Sequence, residues 1–224
     1  MMQCTKFGMA NKSICDGILS QYEFLVAARA LCNKWKSVNT TLSNWTWTPI
    51  KRTSWSASCD EGYLSLENVY YIKSSMDHLS SQDLDEAEDE VDDATMVQPH
   101  CNSVHVYEFH ITYSFSYRAP ILYFHGSHCD GRPLDFDEIQ KDLPEYSLKF
   151  LRESKWTFIT MEEHPYLHQP WYMLHPCGTA DLMKLLLGGG AQATADAFCY
   201  LASWLSIAGQ AVGLRIPIGL SSSS

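Results

Sequence analysis

The stretch VHVYEFHITYSFSY, residues 104–117, decides the fold, and after the break Arg118-Ala119-Pro120 it is followed by ILYFHG, residues 121–126. Both stretches are rich in β-branched and aromatic residues, and the first alternates almost strictly, which is typical of strands. This alternation predicts two faces. One face carries Val104, Val106, Glu108, His110, Thr112, Ser114 and Ser116, and the other carries His105, Tyr107, Phe109, Ile111, Tyr113, Phe115 and Tyr117.

Helical and strand-like patterns flank these two strands on both sides. Residues 17–37 repeat apolar side chains near the helical period, and Asp16 is expected to cap that helix. The same reasoning predicts a short strand or an entry loop at 42–49 and a strand at 62–74. It also predicts a helical stretch at 135–152 broken at Pro144, and helices at 179–187, ended by Gly188-Gly189-Gly190, and 194–209. This order predicts the α+β class, with an antiparallel sheet flanked by helices in a single domain over residues 1–224.

Acidic charge is concentrated in one segment. Residues 77–93 carry nine Asp or Glu and no Lys or Arg, so they account for −9 of the net charge of −10 and leave −1 for the rest of the chain. A tract this acidic stays solvated, so residues 76–100 are expected to form a flexible insertion. Residues 218–224 are expected to form a polar tail. Because no basic surface is apparent, the sequence predicts no nucleic-acid partner.

The cysteines indicate a reducing compartment. The chain has eight of them, and several stand where a small apolar residue belongs, such as Cys32 and Cys199 in helical patterns. The first residues lack the apolar core of a secretory signal, which favours free thiols and a cytoplasmic protein. No apolar run approaches the ~20 residues of a membrane span, so no stable membrane insertion is expected.

The tripeptide His175-Pro176-Cys177 marks the candidate active site. It ends the aromatic run 163–174 (EHPYLHQPWYML) and precedes the predicted helix 179–187. Proline fixes its own φ and pushes the residue before it into an extended conformation. The thiol of Cys177 is therefore expected to emerge from a stiff backbone, as a nucleophile in a transfer reaction requires.

Four segments resemble a known family, the autophagy E2-like conjugating enzymes. They are ITYSFSYRAP at 111–120, the stretch 121–134, EHPYLHQPWYMLHPC at 163–177 and SWLSIAGQAVGLRIP at 203–217. The similarity is closest to the branch that transfers a ubiquitin-like autophagy modifier to a lysine of an acceptor protein. The sister branch, which conjugates a modifier to phosphatidylethanolamine, is the nearest alternative. Members of the sister branch are longer, begin with an amphipathic helix and carry a longer acidic insertion.

The resemblance implies an E2-like fold and a two-step relay. An E1-like enzyme activates the C-terminal glycine of the modifier with ATP, Cys177 receives it as a thioester, and a lysine of the acceptor protein then attacks to give an isopeptide bond. The implied partners are the modifier, the E1-like enzyme and the acceptor protein. No cofactor is implied, and nothing in the sequence demands more than a monomer.

The second step needs groups that steer the incoming amine. Ubiquitin E2 enzymes use a His-Pro-Asn motif upstream of their cysteine, and this sequence has none. His175 and Tyr117 match family positions associated with lysine capture, so we expect both to take part. The alternative for each is structural: a histidine that stabilises the loop, and an aromatic residue of the core or of a sheet edge.

Other chemistries fit the sequence less well. His125-x-x-His128-Cys129 has ligand-like spacing, but no Cys-x-x-Cys accompanies it and His105 and His110 fall on opposite strand faces, so no metal site is expected. A Lys-Ser/Thr pair does not follow the glycines 188–190, which argues against a P-loop. A cysteine-protease geometry around Cys177 remains open.

Two further readings concern binding. A non-catalytic E2-like scaffold that binds the modifier or the E1-like enzyme is an alternative to the enzyme, although the presence of Cys177 favours catalysis. Residues 104–117 and the neighbouring strand are expected to offer an edge to which the acceptor could add a strand. The acidic tract is either a solvated spacer or a contact for a basic face of the E1-like enzyme.

Overall fold

A computed structural model describes residues 14, 16–50, 61–72, 104–153, 159–187 and 196–220. Within them, six strands form one antiparallel sheet in the order β1-β2-β3-β4-β6-β5. The strands are β1 (Thr46–Pro49), β2 (Gly62–Ile72), β3 (Val104–Ser114), β4 (Ala119–His128), β5 (Ile159–Glu163) and β6 (Pro170–Leu174). The helices are α1 (Gln21–Val38), α2 (Phe136–Asp142), α3 (Glu145–Glu153), α4 (Thr179–Leu187) and α5 (Ala197–Ala211), followed by a 3-10 turn at Ile218–Leu220.

The strands predicted from the alternating stretches are confirmed, and β3 and β4 pair along their whole length. Phe109 lies opposite Phe124 and His110 lies opposite Tyr123. However, β3 is an interior strand, hydrogen-bonded to β2 on one side and to β4 on the other. The expectation that it offers a docking edge is therefore wrong, because its backbone N–H and C=O groups are already used. Among the described residues, the edges of the sheet are β1 and β5.

Helix α1 begins later than the sequence pattern predicted. Ser20 caps it and forms a capping box with Glu23, in which the Ser20 side chain accepts from the Glu23 backbone N–H. Gly17 has a φ of +78°, a left-handed conformation that cannot belong to a helix. Asp16 is therefore not the cap. The sequence contains the Ser-x-x-Glu signature of a capping box at Ser20 and Glu23, and this signature predicts the helix start better than Asp16 alone.

One face of the sheet packs against α1 and α5. The largest fully buried side chains on this side include Phe24, Trp35, Trp45, Phe124 and Tyr200. They join β3 residues of the predicted apolar set in a continuous core. Each such side chain stabilises the fold by about 1.5–3 kcal/mol relative to exposure to water. This face confirms the predicted layer of helices on an antiparallel sheet.

The opposite face of the sheet is covered by the turn that joins β5 to β6. His164 and Tyr166 from this turn pack over Tyr63, and His164 also packs against Tyr123 and Trp171. The sequence pattern of residues 163–174 did not predict this hairpin. The three prolines and the polar residues in and beside this run interrupt the alternation by which strands are recognised.

The remaining helices follow their patterns closely. Asp135 caps α2 through a second capping box with Glu138, and Pro144 separates α2 from α3 as predicted. Helix α4 has its predicted bounds, whereas α5 begins after the cap Asp196, three residues later than expected, and extends two residues further.

Three sequence expectations lie outside the described residues: the acidic insertion 76–100, the glycines 188–190 and the last four residues of the polar tail. Among the helices of the described ranges, none is both long enough and apolar enough to cross a bilayer.

Candidate active site around Cys177

The exposed thiol of Cys177 lies three residues after the end of strand β6. Beyond its last residue, Leu174, the backbone turns at His175-Pro176 and leaves Cys177 exposed just before α4 begins. The backbone N–H of Cys177 donates to Nδ1 of His175 at 3.2 Å, and that of Thr179 donates to the carbonyl of Pro176 at 3.1 Å. These two bonds fix the turn on both sides of the thiol.

Gly178 completes this turn. Its φ is +84°, where residues with a Cβ are strained, and a Cβ placed there would meet nothing within 4 Å. The glycine is therefore needed for its backbone conformation and not for space. It allows the chain to enter α4 immediately after the thiol.

The segment that precedes α1 packs closely against the backbone of helix α4. A Cβ on Gly17 would lie 1.9 Å from the carbonyl oxygen of Ala180 and 2.9 Å from the backbone nitrogen of Lys184. The Tyr200 hydroxyl of α5 donates to the carbonyl of Gly17 at 2.8 Å. A residue far from the thiol in sequence thus sets the position of the helix that follows it.

Tyr117 lies in the turn between β3 and β4, three residues beyond the end of the strand that was expected to contain it. Its ring is 45% exposed and stands edge-on to the ring of His175, with 6.0 Å between centroids. The backbone N–H of Leu19 donates to the carbonyl of Arg118 at 2.8 Å and holds this turn. The structure therefore brings together all three residues singled out from the sequence.

The hydrogen bond within the turn selects the tautomer of His175. Nδ1 accepts the Cys177 N–H, so in the neutral imidazole the proton resides on Nε2. Nε2 is then a donor. His175 is arranged to give a hydrogen bond to a neighbouring oxygen, and in this form it cannot serve as a base through Nδ1.

An apolar cleft of about 200 Å³ opens beside the thiol. None of its lining residues is Asp, Glu, Lys or Arg. The sequence did not predict this cleft, because its walls come from three separate parts of the chain. They include Pro120 from β4, Leu182 from α4 and Trp204, Ile207, Ala208 and Ala211 from one side of α5, together with Cys177 itself.

Three further histidines of the described residues, His105, His110 and His164, are buried in the fold. The rings of His110 and His164 are buried, and Nδ1 of His110 lies 3.1 Å from Nε2 of His164. Burial lowers the pKa of His110 to about 3 and that of His164 to about 4, so both are neutral near pH 7. His105 is also buried, where Nδ1 contacts Asp142.

The residues weighed as zinc ligands have other partners. His125 packs on Trp171, whereas Nε2 of His128 lies 3.2 Å from a carboxylate oxygen of Glu138 and the Cys129 thiol donates to the carbonyl of Val104. Within the described ranges, no three His, Cys, Asp or Glu side chains are grouped so that they could hold a metal ion.

The cysteines of the described ranges are free thiols, and they differ in accessibility. Burial raises the pKa of Cys32, and partial burial together with the side chain of Asp196 raises the pKa of Cys199. Cys129 and Cys177 are exposed. Of these two, only Cys177 adjoins both an imidazole and a cleft.

Known proteins are similar to this chain over most of its length. Residues 23–218 match the family model of the autophagocytosis associated protein, active-site domain. The chain is 44% identical over 221 residues to the ubiquitin-like-conjugating enzyme ATG10 of Arabidopsis thaliana, covering 92% of this chain and 96% of that protein. It is 36% identical to the human ATG10 over 78% of this chain and 81% of that protein.

More partial similarities accompany these two. Autophagy-related protein 3 of Candida glabrata is 34% identical over 105 residues, which cover 46% of this chain and 31% of that protein. A crystal structure of the autophagic E2 Atg10 superposes with a TM-score of 0.48 at 15% identity, covering 88% of this chain and 99% of that one. Because the similarity to the two ATG10 sequences extends over most of both chains, this chain belongs to the ATG10 family of ubiquitin-like-conjugating enzymes of autophagy.

Proposed function

We propose that Cys177 carries the modifier as a thioester and passes it to a lysine of an acceptor protein. The observation that supports this most strongly is the position of the Cys177 thiol. It is exposed, fixed between a strand and a helix, beside His175 and at the mouth of a cleft. A buried thiol with no path for a peptide tail would exclude the reaction.

In the first step the modifier moves from one sulfur to another. The Cys177 thiolate attacks the carbonyl carbon of the terminal glycine, which is held as a thioester on the E1-like enzyme. The new S–C bond forms on Cys177, the S–C bond to the E1-like enzyme breaks, and the E1 cysteine leaves as a thiolate. Because one thioester replaces another, the exchange is nearly balanced in free energy.

In the second step the neutral amine of the acceptor lysine attacks the same carbonyl carbon. The N–C bond forms, the bond to Cys177 breaks, the Cys177 thiolate leaves and the amine releases a proton to water. We assign the Nε2–H of His175 to the oxygen on which negative charge develops. We assign the Tyr117 hydroxyl, beside the imidazole, to accept a hydrogen bond from the amine and to position it.

The partners of this reaction are the ubiquitin-like autophagy modifier, the E1-like enzyme and the acceptor protein. We place the reaction in the cytoplasm and assign it to a monomer. The described cysteines are thiols, as a reducing compartment favours.

A gel-shift experiment tests the thioester. The protein is mixed with the E1-like enzyme, the modifier and ATP, and we expect a higher band that disappears on addition of a thiol reductant. Cys177→Ala should lack the band, and Cys177→Ser should form an ester that resists the reductant. Cys129→Ala is the matched control, because Cys129 is also exposed but lies outside the cleft. If Cys177→Ala still forms the reducible band, the proposal is wrong.

A further inference from the structure

We propose that residues 17–19, which precede α1, form a positioning segment that fixes the turn carrying Tyr117 relative to the Cys177 thiol, and that the hydroxyl of Tyr113 holds this segment in place. The inference rests on the proposed function, because it takes Tyr117 as the residue that positions the lysine amine. It adds Tyr113 to the transfer step as a positioning residue that acts through Tyr117.

The first end of the positioning segment lies against the helix that follows the thiol. Gly17 is buried and so close to α4 that a Cβ at this position would lie 1.9 Å from the carbonyl oxygen of Ala180. The hydroxyl of Tyr200, which is itself buried, donates to the Gly17 carbonyl at 2.8 Å. This end therefore has a fixed position relative to α4, which begins two residues after Cys177.

The other end of the positioning segment lies against the turn between β3 and β4. The backbone N–H of Leu19 donates to the carbonyl of Arg118 at 2.8 Å. The Tyr113 hydroxyl donates to the carbonyl of Leu19, also at 2.8 Å. Leu19 is fully buried. It therefore connects β3 to the residue that directly follows Tyr117.

The positioning segment is too short to let its two ends move apart. Gly17 and Leu19 are two residues apart, which corresponds to at most about 7 Å in an extended chain. If the turn moved away from α4, it would have to break the bond between Leu19 and Arg118 or pull Leu19 out of the core. One short piece of buried backbone thus limits the distance between the Tyr117 turn and α4.

The turn that carries Tyr117 needs such a restraint. Residues 115–118 are all exposed, and Arg118 has a φ of +50°, a left-handed conformation that is unfavourable for a residue with a Cβ. Strained backbone of this kind persists where the surrounding structure holds it. Inside the turn, the Tyr117 N–H donates to the Ser114 hydroxyl at 3.3 Å. The bond from Leu19 holds the turn from outside.

The Tyr113 hydroxyl contacts both the positioning segment and the turn. Burial raises the pKa of the Tyr113 phenol, so the hydroxyl is a neutral donor to Leu19 near pH 7. The side chain of Arg118 is hydrogen-bonded to the same phenol and opposes this rise in pKa. Removing the hydroxyl would release both contacts. The ring would still pack against Phe24, with 5.6 Å between the ring centroids.

The test is a double-mutant cycle on the rate at which preformed Cys177 thioester transfers the modifier to the acceptor lysine. The wild type, Tyr113→Phe, Tyr117→Phe and the double variant are compared. Loading from the E1-like enzyme is measured for each form, which shows whether the variant folds and receives the modifier. Tyr146→Phe is the matched control, because its hydroxyl also donates to a backbone carbonyl, that of Gln210, outside the positioning segment.

We expect Tyr113→Phe to slow transfer by about three- to fivefold, because displaced reacting groups lower the rate. Its loading should stay within about twofold of the wild type, since the first step does not use the Tyr117 hydroxyl. The double variant should transfer at the rate of Tyr117→Phe alone, because the Tyr113 hydroxyl has nothing left to position once that of Tyr117 is absent. Tyr146→Phe should transfer at the wild-type rate.

Wild-type transfer by Tyr113→Phe would overturn the inference. The same fold-loss with and without the Tyr117 hydroxyl, an equal loss in loading, or an equal loss in Tyr146→Phe would also overturn it, because a general loss of structure produces each of these results. All four outcomes leave the thioester in place. Wild-type transfer by Tyr117→Phe would instead remove the role of Tyr117 and this inference with it, and absence of a Cys177 thioester would remove the proposed function itself.

Discussion

The dipeptide His-Pro forms two corners near β6, one in the turn that joins β5 to β6 and one directly after β6, and the two corners differ in burial. Before the strand, His164-Pro165-Tyr166 turns so that the N–H of Tyr166 donates to Nδ1 of His164 at 3.3 Å. After it, the N–H of Cys177 donates to Nδ1 of His175 at 3.2 Å. The local bond is the same, but His164 is fully buried and His175 is partly exposed.

Burial separates a corner that belongs to the core from the corner proposed to react. The other ring nitrogen of His164 faces His110, 3.1 Å away inside an aromatic cluster. His175 instead faces the exposed ring of Tyr117 and lines the cleft beside Cys177. One dipeptide therefore closes the second face of the sheet, while the other remains available to a substrate. The residues that surround each imidazole decide which role it takes.

The largest expected effect is on stability at the buried corner. His164→Ala should lower the free energy of unfolding by about 3 kcal/mol, because it leaves a cavity among Tyr63, Tyr123 and Trp171 and removes the partner of His110. Urea unfolding measures it. His175→Ala is the matched control at the other corner and should cost less than about 1 kcal/mol. Similar losses for the two variants would contradict the distinction between the corners.

The next effect is a pH dependence of stability. The pKa of His110 is lowered to about 3 and that of His164 to about 4, against about 6.5 in an unfolded chain. Between pH 6.5 and 4 the unfolded state therefore binds more protons. The stability that these groups contribute is complete above pH 6.5 and is lost as the pH falls, by about 1.4 kcal/mol per pH unit for each group.

A variant isolates this contribution. His110→Asn keeps an acceptor near the position of Nδ1 but does not titrate, so stability between pH 6 and 4.5 should fall by about 1.4 kcal/mol per pH unit less than in the wild type. Urea unfolding at several pH values measures both slopes. Parallel slopes would mean that His110 is not held neutral in the fold.

A smaller effect is expected at the reactive corner and concerns rate. His175→Ala and Tyr117→Phe should each slow transfer from the Cys177 thioester to the acceptor lysine by about tenfold, since each removes one polar group from the transition state. Chase of preformed thioester with the acceptor measures this step. Loading from the E1-like enzyme should remain within about twofold. Unchanged transfer in both variants would leave His175 and Tyr117 with structural roles alone.

The smallest effect compares two glycines. Gly178 and Gly131 both have positive φ, +84° and +86°, and a Cβ on either would meet nothing within 4 Å. Alanine at either position should cost about 1 kcal/mol of stability. Only Gly178→Ala should also slow loading of Cys177, by a few fold, because it alters the turn that carries the thiol. Equal loading rates for the two variants would show that the turn tolerates the change.

The sequence predicts the parts of this molecule that local patterns encode. The alternation of residues 104–117 gave β3 and its buried face, and Pro144 marked the boundary between α2 and α3. The motif around Cys177, through its resemblance to a family, also identified His175 and Tyr117, and the structure places His175 against the backbone of Cys177 and Tyr117 against His175. Their roles in catalysis remain predictions.

What the sequence could not predict depends on distant residues. The partner of His164 is His110, 54 positions earlier in the chain. The interior place of β3 depends on strand order, which no single strand encodes. The cleft arises where α4 and α5 approach the beginning of β4. In each case the contact joins residues that are distant in sequence, so helix and strand propensities and hydrophobic periodicity do not predict it.

The position of the Cys177 thiol also depends on Gly17, which is far from His175-Pro176-Cys177 in the sequence. Because any side chain at this position would collide with the backbone of Ala180 and Lys184, every missense change at codon 17 would push on the helix that follows the thiol. A genetic screen for loss of conjugation should therefore recover alleles at codon 17 as well as at codon 177. Genotyping confined to the reactive tripeptide would miss them.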